Sequence, residues 1–360
     1  MKKLNVAVLF GGKSAEHEVS LQSAKNIIEA MDKNKYNPVL IGIDKQGKWM
    51  LREKTYFLLD SGDLKLIKLN KASDSVTILP QSREIINFSN PGNRQTVDVV
   101  FPVLHGPFGE DGTVQGLLKL ADIPFVGSGV LGSAVSMDKD VAKRLLRDAK
   151  IPIPEFLVFK DTDRIDFKNI VKKIGLPFFI KPANLGSSVG ISKVKNAKEF
   201  KKAITEAFQY DRKILAEEYI EGREIECSIL GNDNPIASVP GEVIVNGEFY
   251  SYEAKYINEN GAVLEVPAKL DKKTVKKIQD LAVKTFKTLS CEGLGRVDFF
   301  LRDNKDIFVS EVNTIPGFTK ISMYPKLWEV SGISYPKLID KLISLAIEKF
   351  NKDKKLKTER

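Results

Sequence analysis

The sequence predicts a three-domain protein that combines α/β and α+β architecture, and three observations lead to this prediction. The chain has 360 residues, which exceeds one typical domain. Near the N-terminus, two apolar runs flank an amphipathic stretch, the strand–helix–strand order of a parallel βαβ unit. Later apolar runs are short and follow one another closely, which favours antiparallel sheets. We therefore expect an N-terminal parallel-sheet domain at 1–127, a small mixed domain at 128–213 and a third domain at 214–360.

The first domain is predicted from alternating apolar and amphipathic segments. Residues 4–10 form a short apolar run, residues 20–31 have helical periodicity, and NPVLIGI is a second apolar run. Between residues 49 and 93 the pattern weakens into polar pieces, which we interpret as small hairpins or an insertion. The segments VDVVFPVLHG and IPFVGSG predict two more buried strands.

The second and third domains are predicted to contain antiparallel strands. A helix over 138–149 precedes the apolar segments IPIPEFLVF, PFFIKP and VGISKV. In the third domain the predicted strands are ILAEEYI, EIECSIL, ASVPGEVIV, RVDFFL and IFVSEVN. A helix over 272–289 joins these strands, and a last helix over 335–350 is expected to pack on their sheet.

Composition narrows the class of protein. The net charge is +9, but the lysines alternate with acidic residues on helical faces, which indicates a solvated surface rather than a nucleic-acid site. No aromatic and basic residues interleave as a nucleic-acid stacking platform requires. No apolar run reaches the roughly 18 residues that span a bilayer. Cys227 and Cys291 are far apart, so neither a disulfide framework nor a thiolate metal site is expected, and a cytoplasmic location is predicted.

The segment GRVDFFLRDNKDIFVSEVNTIPG, residues 295–317, is the most informative part of the chain. Side chains alternate along a strand, so Arg296 and Asp298 share one face, and Glu311 and Asn313 share a face of the next strand. The sequence RDNKD between them predicts a turn. Adjacent buried carboxylates need a cation, and the oxygen donors of Asp298, Glu311 and Asn313 suit Mg²⁺ or Mn²⁺. The alternative is a salt bridge from Arg296 to Asp298 or Glu311.

A glycine-rich segment, KPANLGSSVG at residues 181–190, lies between two predicted strands. Small residues let the backbone approach an anion, and Lys181 adds positive charge. A plain glycine-rich hairpin turn is the alternative. Because Lys139 opens a nearby helix and an oxygen-rich metal face follows later, the three parts together suit a triphosphate with magnesium.

Two other phosphate-like motifs are not convincing. Gly12, Lys13 and Ser14 resemble the end of a P-loop, but the first glycine of that motif would fall at Ala7, inside a predicted strand. The segment GSGVLG at residues 127–132 matches G-x-G-x-x-G, yet no acidic residue clearly follows at the required distance. A dinucleotide-binding fold is therefore not favoured.

Seven motifs occur in a fixed order over residues 6–332: GGKSAEHEVS, HGPFGEDGTVQG, SMDKD, KPANLGSSVG, YEAKY, GLGRVDFF and EVNTIPGFTKISMYP. Through them the chain resembles the D-alanine–D-alanine ligases of the ATP-grasp superfamily. The resemblance implies ATP-dependent ligation of two D-alanines through an acyl phosphate, for peptidoglycan precursors. It also implies a homodimer, since family members commonly form one. Other ATP-grasp carboxylate–amine ligases are the nearest alternative, and a nucleotide-regulated binding module or a basic nucleic-acid binder is more distant.

The resemblance also implies which residues bind ATP and metal. Lys139 and Lys181 would hold the phosphates beneath a flexible turn that contains Ser188. The remaining implied nucleotide contacts are a hinge at the adenine formed by Glu217, Glu218, Tyr219 and Ile220, Glu224 at the ribose, and Phe300. Asp298, Glu311 and Asn313 would bind two Mg²⁺ ions, with Mn²⁺ as a substitute. Without the resemblance, Glu217 and Glu218 fit an exposed edge strand equally well.

For the substrates, the resemblance implies that Glu16 grips the ammonium of the first D-alanine and that Ser187 and Tyr256 join Glu16 in closing a loop. Arg296 and the backbone N–H of Gly317 would stabilise the oxyanion. The implied contacts of the amino acids are Lys255 and Ser322 at the second carboxylate, His105 near both substrates, and Met323, where many relatives have leucine. Tyr256 favours the dipeptide, since relatives that use D-lactate tend to have phenylalanine. Taken alone, Glu16 fits a helix-dipole or capping partner, and His105 fits a structural loop residue.

Overall fold

The structure is a computed structural model and describes residues 2–52, 75–92, 94–245 and 262–357. Its first sheet has the order β3-β2-β1-β7, and β1 pairs in parallel with both β2 and β7. The elements of this region are β1 (Leu4–Gly11), α1 (His17–Ala30), β2 (Tyr36–Ile43), β3 (Trp49–Arg52), β7 (Val99–Val103) and α2 (Thr113–Leu120). The predicted parallel βαβ unit is confirmed. Helix α1 begins before the predicted start, and the ring of His17 in its first turn donates from Nδ1 to the Gly12 carbonyl at 2.8 Å.

A small antiparallel sheet and an irregular segment complete the first region. The sheet contains β4 (Val76–Ile78), β5 (Glu84–Asn87) and β6 (Arg94–Thr96), in agreement with the predicted hairpins, whereas residues 53–74 lie outside the described ranges. The prediction of a strand at IPFVGSG is wrong. Only Phe125 forms a single bridge, to Val100, because the chain turns away at Gly127, whose φ is +103°.

The second sheet is antiparallel, with the order β10-β9-β11-β8. Its strands are β8 (Phe156–Lys160), β9 (Phe178–Pro182), β10 (Ser192–Val194) and β11 (Lys213–Glu218). The helices before and around it are α3 (Val130–Met137), α4 (Lys139–Asp148), α5 (Phe167–Ile174) and α6 (Ala197–Ala207). Strand β11 lies between two neighbours, so the interpretation of Glu217 and Glu218 as part of an edge strand does not hold.

The third sheet has the order β15-β14-β12-β16-β17, with β13 paired to β12. Its elements are β12 (Arg223–Gly231), β13 (Ile236–Ala237), β14 (Gly241–Val245), β15 (Ala262–Glu265), α7 (Lys272–Thr288), β16 (Gly293–Arg302), β17 (Asp306–Asn313), α8 (Met323–Val330) and α9 (Tyr335–Asp353). The predicted strand ASVPGEVIV is two strands, because Pro240 between them has no N–H for the ladder. The prediction that ILAEEYI belongs to this sheet is wrong, because that segment forms β11 and pairs with β8 and β9 of the second sheet. The other predicted strands and helices of this region are confirmed, with small differences at their ends.

The cores show how the sheets are joined. One cluster combines Phe10 and Ile27 of the first sheet region with Trp328 and Leu342 of α8 and α9. The second sheet has a separate core around Phe178 and α6. The N-terminal and C-terminal regions therefore share apolar packing, while the predicted domain boundaries at 127 and 213 stay a prediction. Within the described ranges, no helix is long and apolar enough to cross a membrane.

Candidate active site

Three carboxylates lie in one row across neighbouring strands of the third sheet. Asp298 on β16 is opposite Glu226 on β12 and opposite Glu311 on β17. Two residues away on the same two strands, Arg296 is opposite Asn313. The predicted grouping of Arg296, Asp298, Glu311 and Asn313 on one face is confirmed, and so is the turn between β16 and β17. Directly opposed residues have Cβ atoms about 5 Å apart, so this row concentrates negative charge.

Arg296 balances part of this charge. Its Nε and Nη2 each donate to an oxygen of Asp298 at 2.7 Å, and Nε lies 3.0 Å from Oε2 of Glu226. Burial lowers the pKa of Arg296, but Asp298 and Glu226 outweigh burial and raise this pKa well above its ordinary value. The salt bridge between Arg296 and Asp298, which the sequence left open as an alternative, is present. Asn313 Nδ2 also donates to Asp298 Oδ2 at 2.9 Å.

A second charged cluster surrounds Glu217, which is only 1% exposed. Lys143 Nζ lies 2.8 Å from Glu217 Oε2, and Lys181 Nζ donates to Oε1 at 2.5 Å. Burial raises the pKa of Glu217, but the two lysines outweigh burial and lower this pKa from its ordinary value to about 2. Burial lowers the pKa of Lys143 and of Lys139, so these ammonium groups lie in a site of low polarity where an added anion would be favourable.

Helix α4 places Lys139 beside the glycine-rich turn. The ammonium of Lys139 donates to the carbonyl of Leu185, and Lys139 N donates to the Ala183 carbonyl at 3.0 Å. In the turn itself, Ser187 and Ser188 have φ values of +53° and +60°, which are uncommon for residues other than glycine. Such strain is concentrated at ligand clamps. The arrangement agrees with an anion-binding turn next to two lysines.

Glu16 and His105 lie close to this turn. Glu16 is the N-cap residue of α1, but its side chain forms no cap hydrogen bond. Its Oε2 is 3.8 Å from the position of a Cβ on Gly186 and 3.7 Å from that of a Cβ on Gly106. The carboxylate therefore lies between the loop that contains His105 and the loop that contains Ser187. The interpretation of Glu16 as a side-chain helix cap is not supported.

The loop of residues 104–112 is fastened to the segment that follows β17. His105 Nδ1 donates to the Ile315 carbonyl at 2.9 Å, and Ile315 N donates to Glu110 at 2.9 Å. Glu110 also accepts from Gly106 N at 2.8 Å. Burial lowers the pKa of His105, which keeps the ring neutral, while burial and the charge of Glu16 raise the pKa of Glu110 to about 8. The backbone N–H and C=O of Ile315 thus join the first and third sheet regions.

The predicted hinge follows β11. Glu218 Oε2 accepts from Glu155 N at 3.1 Å, the ring of Tyr219 has Lys193 Nζ 3.8 Å from its centroid, and Ile220 is buried. Glu224 and Phe300 are directly opposite each other on β12 and β16. These residues lie on strands and loops adjoining Lys181 and Asp298, and their role as nucleotide contacts stays a prediction.

The remaining predicted residues lie near the start of α8. A Cβ on Gly317 would be 2.8 Å from Ser322 Oγ, and that hydroxyl accepts from Thr319 N at 3.0 Å. Met323 is buried in a small core with Val243 and Leu327. Lys255 and Tyr256 lie outside the described residues.

The donor set fits a divalent cation with oxygen preference. Among the described residues, no group of three or more His, Cys, Asp or Glu side chains is arranged for a metal ion. Asp298 and Glu311 are opposite each other, however, and Asn313 adds a carboxamide. Mg²⁺ is usually bound by one or two carboxylates, with substrate phosphates and water as the other ligands. Asp298 and Glu311, with Asn313 beside them, therefore suit a magnesium ion that arrives with a nucleotide.

Sequence reasoning missed three charged residues of the site. Lys143 follows Lys139 by four positions and so lies on the same face of α4, a spacing that could have revealed it. Glu226 follows Glu224 by two positions, which places both on one face of β12. Glu110 gave no such signal, because its partners Gly106 and Ile315 are brought to it only by the fold.

Comparisons with known proteins find one family over most of the chain. The family model described as "D-ala D-ala ligase N-terminus" matches residues 5–128, and "D-ala D-ala ligase C-terminus" matches residues 145–344. The D-alanine–D-alanine ligase of Oceanobacillus iheyensis is 55% identical over 364 residues, covering 100% of this chain and 99% of that relative.

Solved structures give the same result. The D-alanine–D-alanine ligase of Coxiella burnetii has a TM-score of 0.88 at 41% identity, covering 99% of this chain and 97% of that one. The D-alanine–D-alanine ligase of Bacillus anthracis complexed with ATP has a TM-score of 0.73 at 27% identity, covering 97% and 99%.

The sheets, the paired lysines and the carboxylate face together define an ATP-grasp enzyme, as the fold of the structural neighbours confirms. The two family models match most of the chain, and the similarity to the relatives extends over all of it. The chain belongs to the D-alanine–D-alanine ligase family.

Proposed function

We infer that this protein joins two D-alanine molecules to D-alanyl-D-alanine, with conversion of ATP to ADP and phosphate, for peptidoglycan synthesis. The observation that carries this inference is the similarity to a D-alanine–D-alanine ligase over the whole chain, which includes every sheet described above. The predicted phosphate and oxygen-donor groups supply the parts that the reaction needs.

The reaction has two steps. The carboxylate of the first D-alanine attacks the γ-phosphorus of ATP, which gives an acyl phosphate and ADP. The amine of the second D-alanine then attacks the acyl carbon, loses a proton, and displaces inorganic phosphate. Catalysis of phosphoryl transfer rests mainly on positioning and charge stabilisation, so Lys139 and Lys181 at the phosphates are its main protein contribution.

The nucleotide would bind between the second and third sheets. Glu217, Glu218, Tyr219 and Ile220 would face the adenine, while Glu224 and Phe300, opposite each other on adjacent strands, would bind the ribose side. Ser188 would cover the phosphates from the glycine-rich turn. The ion pair of Lys181 with Glu217 supports this placement, because it holds the ammonium group of this β9 residue beside the residues that would face the base.

Asp298, Glu311 and Asn313 would hold two Mg²⁺ ions, for which Mn²⁺ could substitute. When bound, magnesium neutralises charge on the phosphate oxygens. Asp298 would exchange its contacts with Arg296 and Asn313 for this role. The guanidinium of Arg296 and the Gly317 N–H would then stabilise the oxyanion of the tetrahedral intermediate.

The two amino acids would bind beside the loops that meet near Glu16. Its carboxylate would hold the ammonium of the first D-alanine, and Ser187 with Tyr256 would close the loop to exclude water from the acyl phosphate. His105 would contact the substrates, Lys255 and Ser322 would bind the second carboxylate, and Met323 would shape the pocket floor. The short approach of Glu16 to the Gly186 position supports the closure.

We further propose a cytoplasmic homodimer whose product, through the cell wall, maintains cell shape. This proposal rests on the family, since family members act on cytoplasmic precursors and commonly form dimers. Sedimentation of the purified protein would check the dimer.

The direct test is release of phosphate from ATP and Mg²⁺ with D-alanine, L-alanine, D-serine or D-lactate as the acceptor, each with D-alanine as the first substrate. We expect D-alanine to support the highest kcat/KM and the product to be the dipeptide by mass. Preference for any other acceptor would replace the proposed substrate, and absence of phosphate release with all four would contradict the ligase activity.

A further inference from the structure

Glu226 is a buried carboxylate of the site with no role in the proposed reaction. It is 8% exposed, and its Oε2 lies 3.0 Å from Nε of Arg296, on the side of β16 away from Glu311. The row of carboxylates is therefore ordered Glu226, Asp298, Glu311, with Arg296 shared between the first two. This order gives the two outer carboxylates different neighbours.

The proposed metal binding creates a competition for Asp298. Both oxygens of Asp298 now accept from Arg296, at 2.7 Å each. A dication between Asp298 and Glu311 would draw on the same lone pairs and would also repel the guanidinium. A buried guanidinium left without any carboxylate partner would be costly, because an unpaired buried ion is strongly destabilising.

Glu226 offers a second partner at the same nitrogen. The Nε of Arg296 contacts Asp298 Oδ1 and lies 3.0 Å from Glu226 Oε2, so only a small rotation would move its hydrogen bond from one carboxylate to the other. Nη2 would then be released from Asp298 and become a donor for the reacting oxygen. Glu226 is one strand further from Glu311 than Asp298 is, which leaves it outside the space between the proposed metal ligands.

We propose that Glu226 is a positioning residue that holds Arg296 when a divalent cation binds Asp298. The inference rests on the proposed function, because it requires a metal at Asp298 and Glu311. Without Glu226, Arg296 would remain on Asp298 and compete with the cation. The affinity for the metal would therefore fall, and Nη2 of Arg296 would stay bound to Asp298.

The experiment measures Mn²⁺ binding by electron paramagnetic resonance in the presence of a non-hydrolysable ATP analogue, so no turnover is needed. We expect Glu226→Gln to weaken Mn²⁺ binding about tenfold, the usual scale for a residue that orients a metal site from outside the ligand set. Glu242→Gln is the matched control. Glu242 is also 8% exposed and pairs with Arg223 in the same sheet, and this variant should bind Mn²⁺ as the wild type does.

A double-mutant cycle separates this role from direct metal binding. In an Arg296→Met background, Glu226→Gln should no longer weaken Mn²⁺ binding, since the competing guanidinium is gone. Unchanged Mn²⁺ affinity in the Glu226→Gln single variant would overturn the proposal. A loss that persists in the Arg296→Met background would also overturn it, because Glu226 would then act on the metal itself.

If the Arg296→Met variant does not fold, the Glu226→Gln variant alone still tests the proposal. A misplaced Arg296 would slow the amine attack and let water consume the acyl phosphate, so the ratio of ADP to dipeptide should rise. An unchanged ratio would refute the positioning role. If the wild type itself neither binds Mn²⁺ with the analogue nor forms dipeptide, the proposed function fails and the inference falls with it.

Discussion

At the scale of single residues, Glu217 links two buried lysines, Lys143 and Lys181, to the proposed hinge. Lys143 and Lys181 lie at its two carboxylate oxygens, and all three groups are withdrawn from solvent. Lys181 is thereby held in place by Glu217, while Lys143 supplies a second positive charge from α4. The charge balance of the cluster depends on both lysines.

We expect Lys143→Met to lower the free energy of unfolding by about 1–3 kcal/mol, because the desolvated Glu217 would keep only one cationic partner. The KM for ATP should rise, since Glu217 would then hold Lys181 more tightly and away from the phosphates. Urea denaturation and steady-state kinetics measure the two effects. Lys276→Met removes an exposed ion pair with Asp280 and serves as the control, with an expected change below about 0.5 kcal/mol. Equal losses in both variants would contradict the role of Lys143.

Glu110 provides a pH-dependent contribution to stability. Burial and Glu16 raise its pKa from 4.5 to about 8, and Glu311 adds to the shift, although two backbone donors oppose it. The folded state therefore binds the proton more tightly than the unfolded state does. Stability from this group is present at low pH and falls as the pH rises from the unfolded toward the folded pKa.

We expect the free energy of unfolding of the wild type to decrease, relative to Glu110→Gln, between about pH 5 and pH 8. The difference should change by at most about 1.4 kcal/mol per pH unit, since one proton is involved. Urea unfolding of both proteins over this range measures it. Parallel pH profiles for the two proteins would show that Glu110 is ionised in the folded state throughout.

At the scale of elements, the packing of helix α3 explains why glycines occur in the motif of residues 127–132. A Cβ on Gly132 would lie 2.3 Å from the carbonyl oxygen of Ser290, so glycine is required for the close contact between the helix and the loop before β16. Gly127 has a φ of +103° at the turn before the helix. The motif thus serves packing and chain reversal, which agrees with the judgement that it does not indicate a dinucleotide site.

Gly132→Ala should lower the free energy of unfolding by about 1–3 kcal/mol, because the added methyl group would overlap backbone atoms that cannot rotate away. Gly116→Ala is the matched control within α2. A Cβ there would meet nothing within 4 Å, so alanine should stabilise the protein by about 0.5–1 kcal/mol through its helix propensity. Thermal denaturation of both variants gives the comparison, and a neutral Gly132→Ala would show that α3 can shift away from Ser290.

Some elements can be recognised from the sequence pattern alone, and others cannot. Strands β1 and β2 are mostly apolar, β12 alternates apolar and polar residues before an apolar end, and α9 has a long apolar stripe, so pattern alone located them. The segment IPFVGSG is equally apolar, but it meets β7 at a single bridge before Gly127 turns the chain. Length of apolar sequence indicates burial, whereas strand formation also requires a partner edge over several residues.

At the scale of the whole molecule, the site lies where the three sheets approach one another. His105 from the first region bonds to Ile315 of the third, and Glu218 Oε1 of the second sheet lies 4.0 Å from Arg302 Nη1 of the third. Apolar packing joins the first region to α8 and α9, while the second sheet has its own core. A ligand that contacts all three parts should therefore stabilise the whole protein.

A non-hydrolysable ATP analogue should raise the melting temperature more with Mg²⁺ than with a chelator, because the metal joins the phosphates to Asp298 and Glu311. At a ligand concentration a hundredfold above Kd, the expected stabilisation is about 2.7 kcal/mol. Differential scanning fluorimetry measures it. The Mg²⁺-dependent part should disappear in Asp298→Asn/Glu311→Gln and persist in Asp306→Asn, which changes an exposed carboxylate on the same hairpin. Equal shifts with Mg²⁺ and chelator in the wild type would contradict the proposed metal site.

The sequence by itself determined the parallel βαβ start, the antiparallel hairpin of β16 and β17, and the face shared by Arg296, Asp298, Glu311 and Asn313, because alternation along a strand is a local property. Only the tertiary structure decided that Glu226 joins that row, that Lys143 reaches Glu217, and that Glu110 meets Ile315. These pairs lie on elements distant in sequence, and their contacts depend on strand order and helix packing. Local patterns specify which face a side chain takes, whereas long-range packing specifies what it touches there.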